Sequence, residues 1–166
     1  TAAAAAAVVT VTAKNKGVAG NFIRLDAQSF ATGITPTVAA MSQGALNADI
    51  TPALTAIAAE GHDIIVLACD DDANLLKLRD HLDMLASPME KRWAIGIYGQ
   101  NGSLATATTQ SKRLNNGFMY NVWYRGTPSQ PCELAAAFAA VTAGEEDPAR
   151  PLNDLVLKGI GVCAPE

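Results

Sequence analysis

The chain has 166 residues, 49% of them hydrophobic and 17% charged, which is enough for one packed domain or a domain with a small lobe. Its formal net charge is −4 and its Lys and Arg residues are scattered, so the basic footprint of a nucleic-acid-binding protein is missing. The cysteines lack CxxC spacing, which argues against a disulfide framework or a zinc site, and no apolar run approaches the ~20 residues of a membrane span.

The first 45 residues carry the pattern of short β-strands. The stretch from Val8, "VVTVTA", alternates apolar and polar residues, as half-buried strands do. The segment 14–21 is rich in glycine and asparagine and predicts a turn. Two further strands are predicted in "FIRLDAQSF" and "ITPTVAAMS", where Pro36 places the second at an edge or a strand start. Residues 1–45 are therefore predicted to form a β-rich lobe or an extension of the sheet.

From residue 46 onward, helix and strand patterns alternate. Thr51 as N-cap, Pro52 and Gly61 bracket a first helix, and Asp72 can cap a second helix that carries leucines at helical spacing. Two more helices are predicted in "SLATATTQSKRL", capped by Ser103, and in "PCELAAAFAAVTAG". Apolar strands read "DIIVLA", "WAIGIY" and "FMYNVWY". This alternation predicts an α/β fold with a mostly parallel sheet flanked by helices over residues 46–166.

Three consecutive aspartates, Asp70, Asp71 and Asp72, follow the first strand of that sheet, where α/β proteins place ligand sites. Paired carboxylates there could hold Mg²⁺. Helix capping explains the same residues without a ligand, because aspartate side chains favour the positive end of a helix. Capping is the preferred interpretation, since no phosphate-binding lysine motif or second acidic cluster accompanies the aspartates.

A glycine-rich turn, "GIYGQNGS" from Gly96 to Ser103, also joins a strand to a helix. Its spacing is GxxGxxG and not the GxGxxG of dinucleotide sites, and Asn115 and Asn116 stand where an acidic residue would be needed. Glycines that serve chain geometry are the preferred interpretation. The sequence thus predicts no nucleotide or other cofactor site here.

Nucleophilic catalysis has little support. His62 and His81 are the only histidines, no GxSxG elbow is present, and His81 is expected to be solvated beside Asp80 and Asp83. Cys69 precedes the aspartates, which should raise the pKa of its thiol and keep it unreactive, so a buried cysteine is the preferred interpretation. The sequence therefore predicts no catalytic and no metal-binding residue.

Aromatic residues cluster on two of the predicted strands: Trp93, Phe118, Tyr120, Trp123 and Tyr124. They could stack nucleic-acid bases, but no basic stripe accompanies them. Packing in the core is preferred, with "YNVWYRG" as a candidate for rings exposed at an interface.

Four blocks of the chain, in order and at matching spacing, resemble the tail sheath proteins of Mu-like contractile phages. They are "TAKNKGVAGNFIRL", "DIIVLACDDDANLLKLRDHL", "NNGFMYNVWYRGTPSQPCELAAAFAAV" and "EEDPARPLNDLVLKGIGVCAPE". The sequence departs from the family pattern at Ala68-Cys69 and at Cys132-Glu133, where the family has aromatic residues. These departures concern local packing.

The resemblance implies a structural subunit and not an enzyme. Sheath subunits polymerise helically around a tail tube and contract to drive it through the host envelope, so the implied partners are other sheath subunits, the tube protein and the baseplate. The implied location is the virion, after assembly in the host cytoplasm. The resemblance also implies a subtilisin-like α/β core without catalytic residues, and no cofactor.

The connector Asp147, Pro148, Ala149, Arg150 and Pro151 belongs to the fourth block. Both prolines restrict the preceding residue to extended conformations, and Asp147 or Glu146 is expected to pair with Arg150. In the family this connector leads out of the α/β core towards regions that reach other subunits, and "LVLKGIGV" is predicted to be a strand on that core. The chain starts at Thr1 and resembles a central fragment, which is expected to be monomeric by itself.

Two alternatives remain open at this point. The first is an α/β enzyme that uses Asp70–Asp72 and the Gly96–Ser103 turn to bind Mg²⁺ or a nucleotide. The second is a sheath subunit of a related contractile injection device.

Overall fold

A computed structural model describes residues 2–5, 8–14, 16–147, 149–153 and 156–161. The chain divides between Ala48 and Asp49 into two compact units. In the first unit, β1 (Ala2–Ala5) and β2 (Val8–Val11) form a two-stranded antiparallel sheet, and a short 3₁₀ helix spans Val18–Phe22. The strand predicted from Val8 is confirmed, and it pairs with the alanine run that precedes it. Its four residues are exposed, so the expected half-burial is wrong. The assignment of residues 1–45 and 46–166 as separate lobes stays a prediction.

The two other strands predicted in the first unit are wrong. Residues 23–50 contain neither helix nor strand. Asparagine side chains bind the backbone at the two ends of this stretch: Asn21 Nδ2 donates to the Gly44 carbonyl at 3.0 Å, and the Gly44 N–H donates to Asn21 Oδ1 at 2.8 Å. Similarly, the Val18 N–H donates to Asn47 Oδ1 at 3.2 Å. Side-chain amides therefore organise this segment as a loop.

The second unit has the predicted α/β architecture. Its elements in chain order are α1 (Thr51–Ile57), β3 (Ile64–Leu67), α2 (Asp72–Leu85), β4 (Ile95–Gln100), α3 (Leu104–Leu114), β5 (Met119–Trp123) and α4 (Pro131–Gly144). The three strands form a parallel sheet in the order β3-β4-β5, so β4 is central. The predicted class, a parallel sheet flanked by helices, is confirmed.

The sheet is covered on both faces, and the alternation of side chains along β4 shows which helix covers which face. On one face, the leucines of α2 form the main core with Ala94 and Tyr98. On the other face, Ile97 packs with Ala135 and Ala139 of α4. The main core also includes Leu54 of α1 and Leu114 of α3, so three helices share one face and α4 covers the other.

Helix α1 shows how neighbouring residues shift an N-terminus. Thr51 was expected to cap it, yet Thr51 is its first residue and the preceding Asp49 supplies the acceptor. Asp49 Oδ1 accepts from the Thr51 N–H at 2.8 Å and from the Thr51 hydroxyl at 2.6 Å. Gly61 lies beyond the helix end at Ile57, so α1 is shorter than the sequence predicted.

The strand predicted in "LVLKGIGV" is not formed in its described part, residues 156–161. Side chains of the β5–α4 loop bind the backbone of Gly161 instead: the Thr127 hydroxyl donates to its carbonyl at 2.9 Å, and its N–H donates to Ser129 Oγ at 2.8 Å. Gly159 has a φ of 80°, which a strand does not accommodate. Leu155 and Val162, at the two ends of the predicted strand, lie outside the described residues.

Candidate functional site at the carboxyl edge of the sheet

The three aspartates lie where they were predicted, at the start of α2, but each has a structural role or environment of its own. Asp71 is the N-cap, because its carboxylate accepts from the Asn74 N–H at 3.1 Å and from the Asn74 side chain at 3.1 Å. Asp72, expected to be the cap, is instead the first helical residue. Burial raises the pKa of Asp70, and the neighbouring charge of Asp71 adds to that effect.

A glutamine that the sequence reasoning missed connects the aspartates to α3. Gln110 Nε2 donates to the Asp70 carbonyl at 2.7 Å and to Asp72 Oδ1 at 3.0 Å. Asp72 also forms an ion pair with Arg113. Gln110 lies three residues after Ala107 and four before Leu114, both buried, so its place on the inner face of α3 was a signal that could have been used.

A chain of amides extends from Gln110 into the sheet. Gln100, at the end of β4 and 5% exposed, donates to Gln110 Oε1. Asn121 of β5 donates to Gln100 Oε1 at 3.3 Å and to Ser111 Oγ at 3.1 Å. These bonds link α3 to the sheet through polar groups of its carboxyl edge. Within the described part of the chain, Asn121 Oδ1 is buried without a hydrogen-bond partner, so the network is only partly satisfied.

An open depression of about 370 Å³ lies beside this network and is lined by Asp72, Ala105, Thr106, Thr109, Gln110 and Arg113. Its charged groups, Asp72 and Arg113, neutralise each other. Within the described part of the chain, no three His, Cys, Asp or Glu residues are grouped as a metal ion would require. The depression therefore offers neither a phosphate-binding cation free of its partner nor a carboxylate cage.

The glycine-rich turn is explained by packing. A Cβ on Gly96 would lie 2.8 Å from Leu82 Cδ1, and a Cβ on Gly99 would lie 1.8 Å from the carbonyl oxygen of Pro131. The first glycine lets α2 approach the sheet and the second lets the start of α4 approach its other face. Ser103 caps α3 as predicted, accepting from the Thr106 N–H at 3.2 Å. Trp123 closes the turn by donating its indole N–H to the Gly102 carbonyl at 2.8 Å.

The prediction that His81 is solvated is wrong. His81 is 8% exposed, because it lies three residues after Leu78 and four before Leu85 on the buried stripe of α2. Its ring lies beside that of His62, with the two Nε2 atoms 3.5 Å apart. The sequence predicted no nucleophile beside either histidine. In the described structure the two rings contact each other.

The cysteine and aromatic predictions have mixed outcomes. Burial raises the pKa of the Cys69 thiol, with Asp71 and Asp70 contributing as expected. Cys69 is only partly buried, and Cys163 lies outside the described residues. Core packing is wrong for Trp93, which is 71% exposed and contacts Phe118 edge-on. Tyr120 and Tyr124 are also exposed.

The connector after α4 is held by an ion pair with a different acid from those expected. Arg150 Nη1 lies 3.0 Å from Glu145 Oε2, and the Glu145 side chain is 16% exposed. Asp147 contributes hydrogen bonds instead: its carbonyl accepts from the Arg150 N–H at 3.1 Å and its carboxylate from the Ala149 N–H at 2.9 Å. Pro148 lies outside the described residues. The role of the connector residues Asp147, Pro148, Ala149, Arg150 and Pro151 in contacts between subunits stays a prediction.

Among the described residues, no helix is long and apolar enough to cross a membrane. No protein-family model matches the chain. The chain is 32% identical over 157 residues to the Mu-like prophage FluMu tail sheath protein of Haemophilus influenzae. That alignment covers 90% of this chain and 32% of the relative, so the chain spans about a third of the relative's length. The chain is thus a relative of a Mu-like tail sheath protein, as its four sequence blocks predicted.

Proposed function

We propose that this chain is part of a structural subunit of a contractile phage tail sheath. The observation that carries the proposal is the 32% identity to a tail sheath protein along 90% of the chain. A similarity that extends through both compact units is a stronger argument than one short motif, because it includes the packing residues of the core as well as the loops.

The geometry of the carboxyl edge supports a structural role. Its polar side chains cap α2, fix α3 and line a depression in which Asp72 and Arg113 are paired. An enzyme of the rival class would need carboxylates or donors directed at a substrate. Here Asp71 is bound to Asn74, and Gly96 and Gly99 accommodate helix packing.

In this proposal the subunits polymerise helically around a tail tube and shorten to drive the tube through the host envelope. The partners are other sheath subunits, the tube protein and the baseplate, and the location is the virion after assembly in the host cytoplasm. The α/β unit corresponds to a subtilisin-like sheath core without catalytic residues. The connector at Asp147 and Arg150 leads towards the regions that contact neighbouring subunits. A sheath of a related injection device is the alternative within the same class.

The test compares this chain with a longer one that extends at both ends to the length of the relative. We expect the longer protein to form tubes in negative-stain electron microscopy and this chain to elute as a monomer in size exclusion with light scattering. A longer protein that stays monomeric under all assembly conditions would contradict the proposal. Tubes formed by this chain alone would overturn the expectation that it is monomeric by itself.

The rival enzyme hypothesis has its own test. A ligand that binds the folded state must raise the melting temperature by mass action. We expect no change in melting temperature with Mg²⁺, ATP or GTP. A rise that disappears in an Asp72→Asn variant would favour the rival.

A further inference from the structure

The two histidines of the chain face each other although they are 19 positions apart. His81 is on α2, and His62 is in the connection between α1 and β3. The ring planes are inclined by 12° and the centroids are 5.5 Å apart, whereas the Nε2 atoms are 3.5 Å apart. Since the nitrogens are closer than the ring centres, the Nε2 atoms point towards each other, and a hydrogen bond between them requires one to donate and the other to accept.

The environment of His62 indicates which nitrogen carries the proton. Its Nδ1 is buried and has no hydrogen-bond partner among the described residues. An unpaired N–H group is rarer in protein interiors than an unpaired acceptor. The neutral His62 ring therefore carries its proton on Nε2 and donates it to Nε2 of His81.

Protonation of either histidine disrupts the hydrogen bond between them. A proton added to His81 removes the acceptor, because both nitrogens of an imidazolium are donors. A proton added to His62 places an N–H at the buried Nδ1, where no described group accepts it. Two charged rings would also repel each other across 3.5 Å.

The surrounding charges act in the same direction. Burial lowers the pKa of His81, and His62 and Arg92 lower it further. Arg92 comes from the segment before β4 and donates to the Glu60 carbonyl at 3.4 Å, so it lies beside the same connection. The charged groups that neighbour His81 on α2 have other partners in the described structure: Lys77 with Asp49, Arg79 with Asp80, and Asp83 with Asn116.

We propose that the His62–His81 pair is a proton-sensitive latch that holds the α1–β3 connection, residues 58–63, against α2 at neutral pH and releases it in acid. Much of this connection is exposed. Its described attachments to other elements are the His62–His81 pair, the Arg92–Glu60 contact and the hydrogen bond from the Ile95 N–H to the Asp63 carbonyl at 2.8 Å, which fixes its last residue to β4. This device does not depend on a sheath role.

The direction in which pH changes the stability of the connection follows from the lowered pKa of His81. A histidine whose pKa is lower in the folded state binds fewer protons there than in the open state. The closed connection therefore has its full stability above the ordinary histidine pKa of about 6.5. That stability is lost as the pH falls below this value towards the lower pKa that His81 has in the folded state.

Hydrogen exchange tests the proposal. We compare amide protection of residues 58–63 at about pH 7.5 and about pH 5.5, after correction for the intrinsic exchange rate. The expected result is a loss of protection of these amides in acid. Amides of β4 serve as the internal control and should keep their protection.

The variant His62→Gln separates a latch from simple burial. The glutamine amide can offer His81 either a donor or an acceptor, so acid should reduce protection of the connection less than in the parent, whatever the variant does to stability at neutral pH. The remaining imidazole signal in NMR belongs to His81, and its titration midpoint should rise, because the neighbouring ring that lowers its pKa is gone. An unchanged midpoint, or the same acid-dependent loss of protection in His62→Gln, would overturn the proposal.

Discussion

Helices α2 and α4 are both 14 residues long and cover opposite faces of the same sheet, yet they stabilise it in different ways. Helix α2 inserts four leucines that are at most 1% exposed, whereas α4 contributes mainly alanines. Leucine buries more apolar surface, and alanine allows a closer approach of helix and sheet. The face covered by α2 is therefore stabilised mainly by buried apolar area, and the face covered by α4 by the close approach of helix and sheet.

The largest expected effect is a cavity on the leucine face. Leu78→Ala should lower the free energy of unfolding by about 2–5 kcal/mol, because the buried side chain is replaced by a void. Met84→Ala is the matched control on the same helix, since Met84 is 45% exposed, and it should change stability by about 0.5 kcal/mol or less. Urea denaturation measures both. Equal losses in the two variants would show that the leucine stripe is not the core.

The sheet face covered by α4 should lose stability when a buried alanine side chain is enlarged. Ala135 is fully buried, and Ala135→Leu should cost about 1–3 kcal/mol through overpacking. Ala136→Leu places the same side chain at the next, exposed position and should be within about 0.5 kcal/mol of the parent. If Ala135→Leu were as stable as Ala136→Leu by urea denaturation, the α4 face would not be tightly packed.

The N-termini of the two helices extend the comparison. Asp71 caps α2 with bonds to Asn74, whereas Glu133 closes a capping box on α4 by accepting from the Gln130 N–H at 2.9 Å. Asp71→Ala should cost about 1 kcal/mol, and the exposed Glu133→Ala should cost less. Asp80→Ala, an exposed change outside any cap, serves as the control in thermal unfolding. A larger loss of stability for Glu133→Ala than for Asp71→Ala would show that the α4 cap is the stronger of the two.

The C-termini give the smallest effect. Helix α2 ends with a backbone bond from Ala86 to Leu82, but α4 is followed by the Glu145–Arg150 ion pair. Because Arg150 is largely exposed, Arg150→Ala should cost no more than about 1 kcal/mol and less at high salt. Arg125→Ala, another exposed arginine, is the control. The melting temperature of the chain and tube assembly of the longer protein are both measured. No change in either would refute a role for the pair.

The sequence predicted the elements whose signals are local and repeated. The spacing of Leu75, Leu78, Leu82 and Leu85 places them on one helix face whatever surrounds the helix, and all four are buried. Ser103 and Pro131 likewise mark helix starts through chemistry of the first turn. The parallel sheet followed from the alternation of these elements.

Predictions failed where a distant residue decides the structure. Segments 22–30 and 34–42 have strand-like composition, but no strand pairs with them, and Asn21 binds the backbone of Gly44 just beyond the second segment. The role of Gln110 at the candidate site depends on Asp70, which is 40 positions away. His81 was assigned to solvent from its acidic neighbours, although its spacing from Leu78 already placed it inside.

The hydrogen bond from Trp123 to Gly102 gives the protein an optical reporter of its own. Trp123 and Trp93 are the two tryptophans of the chain, and they occupy contrasting environments. Trp93 is 71% exposed, so its emission should be that of indole in water in both the folded and the unfolded chain. Trp123 is half-buried and bonded at 2.8 Å, so a change in emission on heating or binding reports on the turn between β4 and α3. Intrinsic fluorescence can therefore follow the carboxyl edge of the sheet without any added label.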